Sequence, residues 1–202
     1  MSTDEYWTLA GPGNAQTRVL GSRFLGRALP VSDFDQVAAR LEEERKLYHD
    51  ATHLCWAARV GAEMTEKSSD AGEPRGTAGA PILREIQKRN LGDCLVIVTR
   101  YFGGTKLGRG NLARAYGECA SLSLDAAPQV LRRILAACRV TCSFDDQSLV
   151  YHVARRFQAT VEPQSAPDHA EFILHAAPAA MPMLRASLSE ESRGRIVVET
   201  EP

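Results

Sequence analysis

The stretch CLVIVTRYFGGTKLGRG, residues 94–110, decides the fold of this chain. Its first half, Cys94–Tyr101, is a nearly continuous β-branched run between glycine-containing segments, which predicts a central strand buried on both faces. Its second half is a glycine-rich loop. A helix is predicted to follow from Asn111, the expected N-cap, to about Leu124.

The residues before this stretch predict further elements of the same domain. The segment ATHLCWAARV, residues 51–60, alternates as a strand does, which places His53, Cys55 and Ala57 on one face and Leu54 and Trp56 on the other. Residues 61–79 are rich in glycine, proline and polar residues and predict a long loop. A short helix is expected over residues 81–89 because apolar residues recur there at helical spacing.

The residues after the stretch predict a second domain. Pro128 follows the end of the predicted helix among small residues, which places a boundary between residues 130 and 131. Residues 138–200 then read as strand, helix, strand, strand, helix and strand, the βαββαβ order of the ferredoxin-like arrangement. We therefore predict an α+β protein with an α/β domain over residues 1–130 and a small ferredoxin-like domain over residues 131–202.

Composition limits the classes of function. The 202 residues contain 24 Lys and Arg against 25 Asp and Glu, a formal net charge of −1, which excludes a uniformly basic nucleic-acid-binding surface. The five cysteines contain no C-x-x-C pair and indicate neither a disulfide framework nor a zinc ribbon. No apolar run approaches the ~20 residues that span a bilayer. The acidic start of the chain is unlike a signal peptide, so we expect a cytoplasmic protein without a membrane partner.

Local charge is more informative than net charge. Residues 100–114 contain four basic residues and no acidic one, on a glycine-rich loop that leads into a helix N-terminus. Glycines allow several backbone N–H groups to point inward, and a helix N-terminus carries a partial positive charge, so this pattern favours an anion site, with phosphate the natural ligand. The alternative is a tight strand-to-helix connection with scattered surface cations. The candidate binding residues are Arg100, Tyr101, Gly103, Gly104, Lys106, Gly108, Arg109, Gly110, Asn111 and Arg114.

A second candidate cluster lies in DAGEPRGTAGAP, residues 70–81. Asp70 and Glu73 could orient a ligand hydroxyl or hold a hydrated cation, with Gly76 and Thr77 in the same turn-rich segment. The alternative is that the carboxylates serve as turn and capping groups. If both glycine-rich segments meet, the simplest picture is one cleft lined by Glu73, Thr77, Lys106 and Arg109.

Named catalytic and metal motifs do not fit the chain. Gly103 and Gly108 have P-loop spacing, but Arg109-Gly110 follows in place of Lys and Ser or Thr. Dinucleotide binding is equally disfavoured, because the formal G-x-G-x-x-A match at residues 108–113 does not directly follow a strand. Along a strand, His53 and Cys55 stand roughly 7 Å apart, so they are more typical of a packed core than of a catalytic pair. We predict no catalytic residue, metal site or cofactor.

Both glycine-rich segments together resemble the signature of the Impact/YigZ family. The resemblance covers residues 70–83 and 100–117, and it extends to Ser22-Arg23-Phe24 and to residues 53–57 in the same order. It implies a first domain akin to a fold of ribosomal proteins and translation factors, and a second domain similar to a ferredoxin-like domain of elongation factor G. It also implies a link to translation, since eukaryotic relatives act in translational control.

Two hypotheses for the function follow. The first is a non-catalytic protein that binds RNA or the surface of a ribosome or translation factor, because of the basic glycine-rich loop, the missing catalytic constellation and the resemblance. The alternative is an enzyme acting on a small phosphorylated ligand, with Asp70 or Glu73 as base or cation ligand and with Lys106 and Arg109 on the phosphate.

Overall fold

The computed structural model describes residues 5–61 and 63–200 of the chain. The described residues divide into two units, one of residues 6–132 and the other of residues 133–200 together with Glu5. The sequence predicts a division after residue 130. Within the described part of the chain, no helix combines the length and apolar composition that crossing a bilayer requires.

The first unit is built on an antiparallel five-stranded sheet in the order β2-β3-β6-β4-β5. Its strands are β2 (Gly13–Val19), β3 (Ser22–Pro30), β4 (His53–Val60), β5 (Thr65–Ser69) and β6 (Cys94–Tyr101). Strands β1 (Glu5–Leu9) and β7 (Gln129–Arg133) form a separate two-stranded sheet. The prediction for β6 is confirmed: it is the central strand, and its first seven residues are buried.

Helices cover both faces of the sheet, so β6 needs apolar side chains on both sides. Helices α2 (Gly79–Lys88) and α3 (Arg109–Asp125) pack on the face that carries Val96 and Val98, while α1 (Phe34–Leu47) packs on the face that carries Leu95 and Ile97. The predicted alternation of β4 is confirmed. Cys55 and Ala57 lie in the apolar cluster between the sheet and helices α2 and α3. Leu54 and Trp56 pack against the cluster between the sheet and α1.

Two local predictions in the first unit are wrong. The loop expected over residues 61–79 contains β5, a strand of polar residues that pairs only with β4 and therefore lacks the apolar alternation of a buried strand. Helix α3 begins at Arg109 after Gly108, two residues before the predicted N-cap. The Nδ2 of Asn111 instead donates to the Leu107 carbonyl at 3.1 Å from within the first turn.

The second unit has the predicted βαββαβ order. Its elements are β8 (Ala136–Cys142), α4 (Gln147–Arg156), β9 (Thr160–Gln164), β10 (Ala170–Ala176), α5 (Met181–Glu191) and β11 (Val197–Thr200), with a 3-10 turn at Phe144–Asp146. The antiparallel sheet has the order β11-β8-β10-β9, which is the ferredoxin-like arrangement. One apolar cluster, including Val140, Val153, Leu174 and Leu184, lies between the sheet and both helices.

Candidate functional site

The two glycine-rich segments of the sequence meet at one cleft of about 430 Å³ in the first unit. Loop 70–78 forms one side of the cleft, the loop that connects β6 to α3 forms the other, and the ends of β4 and β6 form the floor. The lining residues are Thr52, His53, Glu73, Pro74, Arg100, Phe102, Lys106, Leu107, Gly108, Arg109 and Leu112. Of the four residues expected to share a cleft, Thr77 does not line it.

The floor of the cleft follows from strand register. Phe24, Arg100 and His53 lie side by side on β3, β6 and β4, and so point to the same face of the sheet. The side chain of Arg100 is 6% exposed, and its Nη1 donates to Oε1 of Glu73 at 2.6 Å. Arg100 is therefore a buried, paired cation and not part of the exposed basic surface that the sequence suggested.

Glu73 is held firmly through one of its two carboxylate oxygens. Oε1 accepts hydrogen bonds from Arg100 and, at 2.8 Å, from the hydroxyl of Tyr116 on α3. Oε2 lies 3.9 Å from Nε2 of His53 and accepts no hydrogen bond from any described residue. Since the side chain is only 4% exposed and lines the cleft, Oε2 is an acceptor that a ligand in the cleft can reach.

His53 and Cys55 are attached to the other loop at different depths. Nδ1 of His53 lies 2.9 Å from the Ala71 carbonyl, so a proton on Nδ1 makes this hydrogen bond and Nε2 is the nitrogen that faces Glu73. The Cys55 thiol donates to the Asp70 carbonyl at 3.0 Å. Burial raises the pKa of Cys55 to about 12. The thiol is therefore a protonated core group, and not an activated nucleophile.

Asp70 organises the loop from inside. Its carboxylate accepts hydrogen bonds from the backbone N–H groups of Gly76 at 2.7 Å and of Ala78 and Gly79, both at 2.9 Å. Desolvation acts to raise the pKa of Asp70, but these hydrogen bonds outweigh it and hold the pKa below its ordinary value. Thr77 is also turned inward, with its hydroxyl donating to the Pro74 carbonyl at 2.7 Å. The structure thus places Asp70, Gly76 and Thr77 in the turn and the start of α2.

Two exposed cations, Lys106 and Arg109, line the cleft, and the exposed Arg75 follows the lining residue Pro74 in loop 70–78. Nη2 of Arg109 donates to the Arg75 carbonyl at 3.0 Å, which ties the two loops together. No described carboxylate makes an ion pair with any of the three. The helix α3 beside them has no side-chain cap and no acidic residue in its first turn, so its N-terminal dipole adds to the positive potential.

An aromatic side chain completes the cleft. Phe102 follows β6 directly and is 46% exposed. The guanidinium carbon of Arg100 lies 5.5 Å from the centroid of its ring, and this cation–π contact fixes the ring next to the buried ion pair. The cleft therefore combines a flat apolar surface, a buried acceptor and exposed cations.

Comparison with known proteins assigns the chain to a family. Residues 20–124, which include both glycine-rich segments, match the Impact N-terminal domain family. The chain belongs to the Impact family. Its relatives include the IMPACT family member in the pol 5′ region of Thermus thermophilus, 38% identical over 182 residues, or 88% of this chain and 97% of that protein. The family member YvyE of Bacillus subtilis is 38% identical over 131 residues, or 64% of this chain and 60% of YvyE.

A solved structure extends the likeness to the whole fold. The crystal structure of a hypothetical protein superposes with a TM-score of 0.71 and 24% sequence identity over 98% of both chains. This similarity concerns the fold. The family-matched segment, residues 20–124, contains every lining residue of the cleft, so the cleft lies wholly within the Impact N-terminal domain.

The remaining predicted residues of this Impact domain lie beside the cleft or away from it. Tyr101 donates its hydroxyl to Asp50 at 2.7 Å, and Gly103 packs against the β2–β3 turn. Arg114 lies in a separate concavity between α2 and α3, next to residues that include Glu85 and Glu118. Gly104, Gly110 and Asn111 are exposed and do not line the cleft.

Sequence reasoning missed several residues of the site. Phe102 carries no pattern of its own, and its position directly after the central strand was the available signal. His53 was assigned to a packed core, although it faces the cleft. Tyr116 is buried on α3, and its contact with Glu73 joins residues 43 positions apart, which no local pattern indicates. Among the described residues, no group of three His, Cys, Asp or Glu side chains is arranged to hold a metal ion.

Proposed function

We propose that this Impact family chain is a non-catalytic protein that binds RNA, on the ribosome or free of it, and is linked to translational regulation. One observation carries the proposal: Lys106 and Arg109, two exposed cations without an ion-pair partner among the described residues, line a cleft that also presents the exposed ring of Phe102. Proteins hold single-stranded nucleic acid by two elements: cations along the phosphate backbone and aromatic rings on which the bases stack. A ribosomal surface would offer the same negatively charged partner wherever its RNA is exposed.

The charges favour RNA over a small anionic patch of a protein. Arg100 contributes little to long-range attraction because Glu73 neutralises it at 2.6 Å. The remaining cations, Arg75, Lys106 and Arg109, could each contact a phosphate. At roughly −0.7 per contact, three contacts correspond to a slope of about −2 in a plot of log K against log salt concentration for single-stranded RNA.

The family supports a role near translation. The Impact resemblance implies that eukaryotic members act in translational control, and the N-terminal domain that this chain shares with them contains the cleft. Because their action depends on protein partners, the proposal here rests on the chemistry of the cleft, and not on those contacts.

The experiment measures the binding of purified protein to ribosomes and to total RNA by sedimentation at several salt concentrations. Lys106→Ala and Arg109→Glu should weaken binding and reduce the salt slope, whereas Arg114→Glu should have a smaller effect because Arg114 lies in another concavity. Equal losses of affinity in the Arg109 and Arg114 variants would show that binding depends on general charge attraction and not on the cleft. Ribosome binding that survives nuclease digestion would indicate a protein surface, and absence of binding at low salt would refute the proposal.

A second candidate function is supported by the free oxygen of Glu73. A buried carboxylate that faces cations across a cleft is an arrangement suited to an enzyme acting on a small phosphorylated ligand. Asp70 is less suited to the role of base, because backbone N–H groups occupy both of its oxygens. A thermal-shift screen of phosphorylated compounds tests this candidate, since a ligand at 100 times its Kd stabilises by about 2.7 kcal/mol. The candidate fails if none of them raises the Tm.

A further inference from the structure

Glu73 has one carboxylate oxygen that the fold leaves without a hydrogen bond. Oε1 is occupied by Arg100 and Tyr116, whereas Oε2 meets no donor among the described residues, although 96% of the side chain is buried. Glu73 lines the cleft, and Oε1 is the oxygen that Arg100 and Tyr116 occupy, so Oε2 is the acceptor that remains for a ligand. The complement of this oxygen is a hydrogen-bond donor on the ligand.

The missing partner is a hydrogen-bond donor and not a second cation. Arg100 already neutralises the carboxylate at 2.6 Å, so a neutral N–H group satisfies Oε2 without adding a buried charge. Nε2 of His53 lies 3.9 Å from Oε2 and provides a second polar atom on the same side. A ligand at this point therefore presents an exocyclic amino group to the floor of the cleft.

We propose that the cleft binds one unpaired nucleotide of an RNA strand and prefers cytosine to uracil. The base stacks on Phe102 and donates its exocyclic amino group to Oε2 of Glu73, while a flanking phosphate lies against Lys106 and Arg109. The inference rests on the proposed RNA-binding function and adds the recognition of a base to it. Stacking on an exposed ring and reading of a splayed-out base edge are how proteins recognise single-stranded RNA.

The preference follows from the two pyrimidine edges. Cytosine presents an N4 amino donor where uracil presents the O4 carbonyl, and an acidic side chain accepts a hydrogen bond from the first but repels the second. Both bases stack and both carry the same phosphates. The floor of the cleft therefore distinguishes cytosine from uracil, while the cations at its rim contribute equally to the affinity for both RNAs.

The experiment compares fluorescein-labelled cytidine and uridine RNA hexamers by fluorescence anisotropy with the wild-type protein. We expect the cytidine hexamer to bind about tenfold tighter, as one well-made base contact corresponds to roughly that factor. The salt slopes of the two RNAs should be the same. Equal affinities with a shared salt slope would overturn the base-reading inference and leave RNA binding intact. No binding of either hexamer would overturn the inference together with the proposed RNA binding.

Two variants test the contributions of the cleft floor and of the stacking surface separately. Glu73→Gln keeps an oxygen for Arg100 and Tyr116 and can place an amide NH₂ where Oε2 stands, so the preference for cytidine should disappear or reverse. Phe102→Ala should weaken both hexamers by about fivefold or more, since stacking is tolerant of sequence. Glu118→Gln, on the exposed face of α3 outside the cleft, is the matched control and should change neither affinity.

The variant results remain decisive if one protein is unstable. Thermal unfolding of each variant shows whether it is folded, and Phe102 is exposed enough for its loss to leave the core unchanged. An undiminished cytidine preference in a folded Glu73→Gln protein would overturn the role of Oε2. Unchanged affinities in Phe102→Ala would overturn the stacking role.

Discussion

Glu73 and Arg100 form a buried ion pair that joins the two glycine-rich segments beneath the cleft, with Oε1 and Nη1 2.6 Å apart. Glu73 belongs to loop 70–78 and Arg100 to β6, at the start of the second segment. The pair also fixes Tyr116 on α3, whose hydroxyl reaches the same oxygen. Three elements distant in sequence therefore depend on one carboxylate.

Glu73→Ala should strongly destabilise the first unit. Removing one partner of a buried pair leaves the other charge without compensation, which costs about 3–5 kcal/mol. The free energy of unfolding in urea is the measurement. Glu118→Ala is the control on an exposed position of α3 and should stay within about 0.5 kcal/mol of the wild type. A loss below about 1 kcal/mol for Glu73→Ala would indicate that water reaches Arg100.

Asp70→Asn should lower stability by about 2 kcal/mol at neutral pH, because the charged acceptor of three backbone N–H groups is replaced by a neutral amide. The pKa of Asp70 is depressed in the folded state, so its contribution is present above the unfolded pKa and disappears as pH falls through the folded value. Urea unfolding of both proteins from pH 7 to pH 2 tests this.

The gap between the Asp70→Asn protein and the wild type should be widest near neutral pH and should close below about pH 4, where unfolded Asp protonates. A gap that stays constant over the whole range would show that the charge of Asp70 contributes nothing to the turn.

The sequence predicts those elements whose burial is strong and regular. Strand β6 is apolar on both faces because helices cover both sides of the sheet, and a continuous β-branched run expresses that directly. The second unit was equally clear, since its two central strands, β8 and β10, bury alternate residues. Strand β5 was missed because an edge strand of polar residues is held by backbone pairing with β4, which leaves no periodicity in its side chains.

The sequence identified the two segments of the candidate site, but not the ion pairs and hydrogen bonds that their charged side chains make. Glycine spacing and local charge located both segments, yet they counted Arg100 as a free cation because its partner lies 27 residues earlier in the chain. Similarly, Asp70 was a candidate ligand by residue type, whereas its oxygens are occupied by backbone groups that no spacing rule identifies. Long-range pairing decides which charges remain available for a ligand.

The cysteines should be unreactive in the native protein. All five are buried and none forms a disulfide, and burial raises the pKa of both Cys55 and Cys94 to about 12. Because the thiolate is the reacting species, a thiol reagent at pH 8 should label almost none of them until denaturant is added, when all five should react. Mass spectrometry counts the modified residues. Rapid native labelling of Cys55 would contradict the closed packing beneath the cleft.

Gly103→Ala and Gly110→Ala should have opposite effects although both change the same glycine-rich segment. A Cβ on Gly103 would stand 1.9 Å from the carbonyl carbon of Gly21, so the loop must move and the protein should lose about 1–3 kcal/mol. A Cβ on Gly110 meets no atom within 4 Å, and the residue lies in the first turn of α3. Alanine there favours the helix by up to about 1 kcal/mol.

The two glycine variants are compared by thermal and urea unfolding and by RNA affinity. Gly103→Ala should also weaken RNA binding, because displacement of the loop moves Phe102 and Lys106 away from the floor of the cleft. Gly110→Ala leaves the positions of both side chains unchanged and should bind as the wild type does. If Gly103→Ala were as stable as Gly110→Ala, the close approach of the loop to the β2–β3 turn would not be what holds the loop above the cleft.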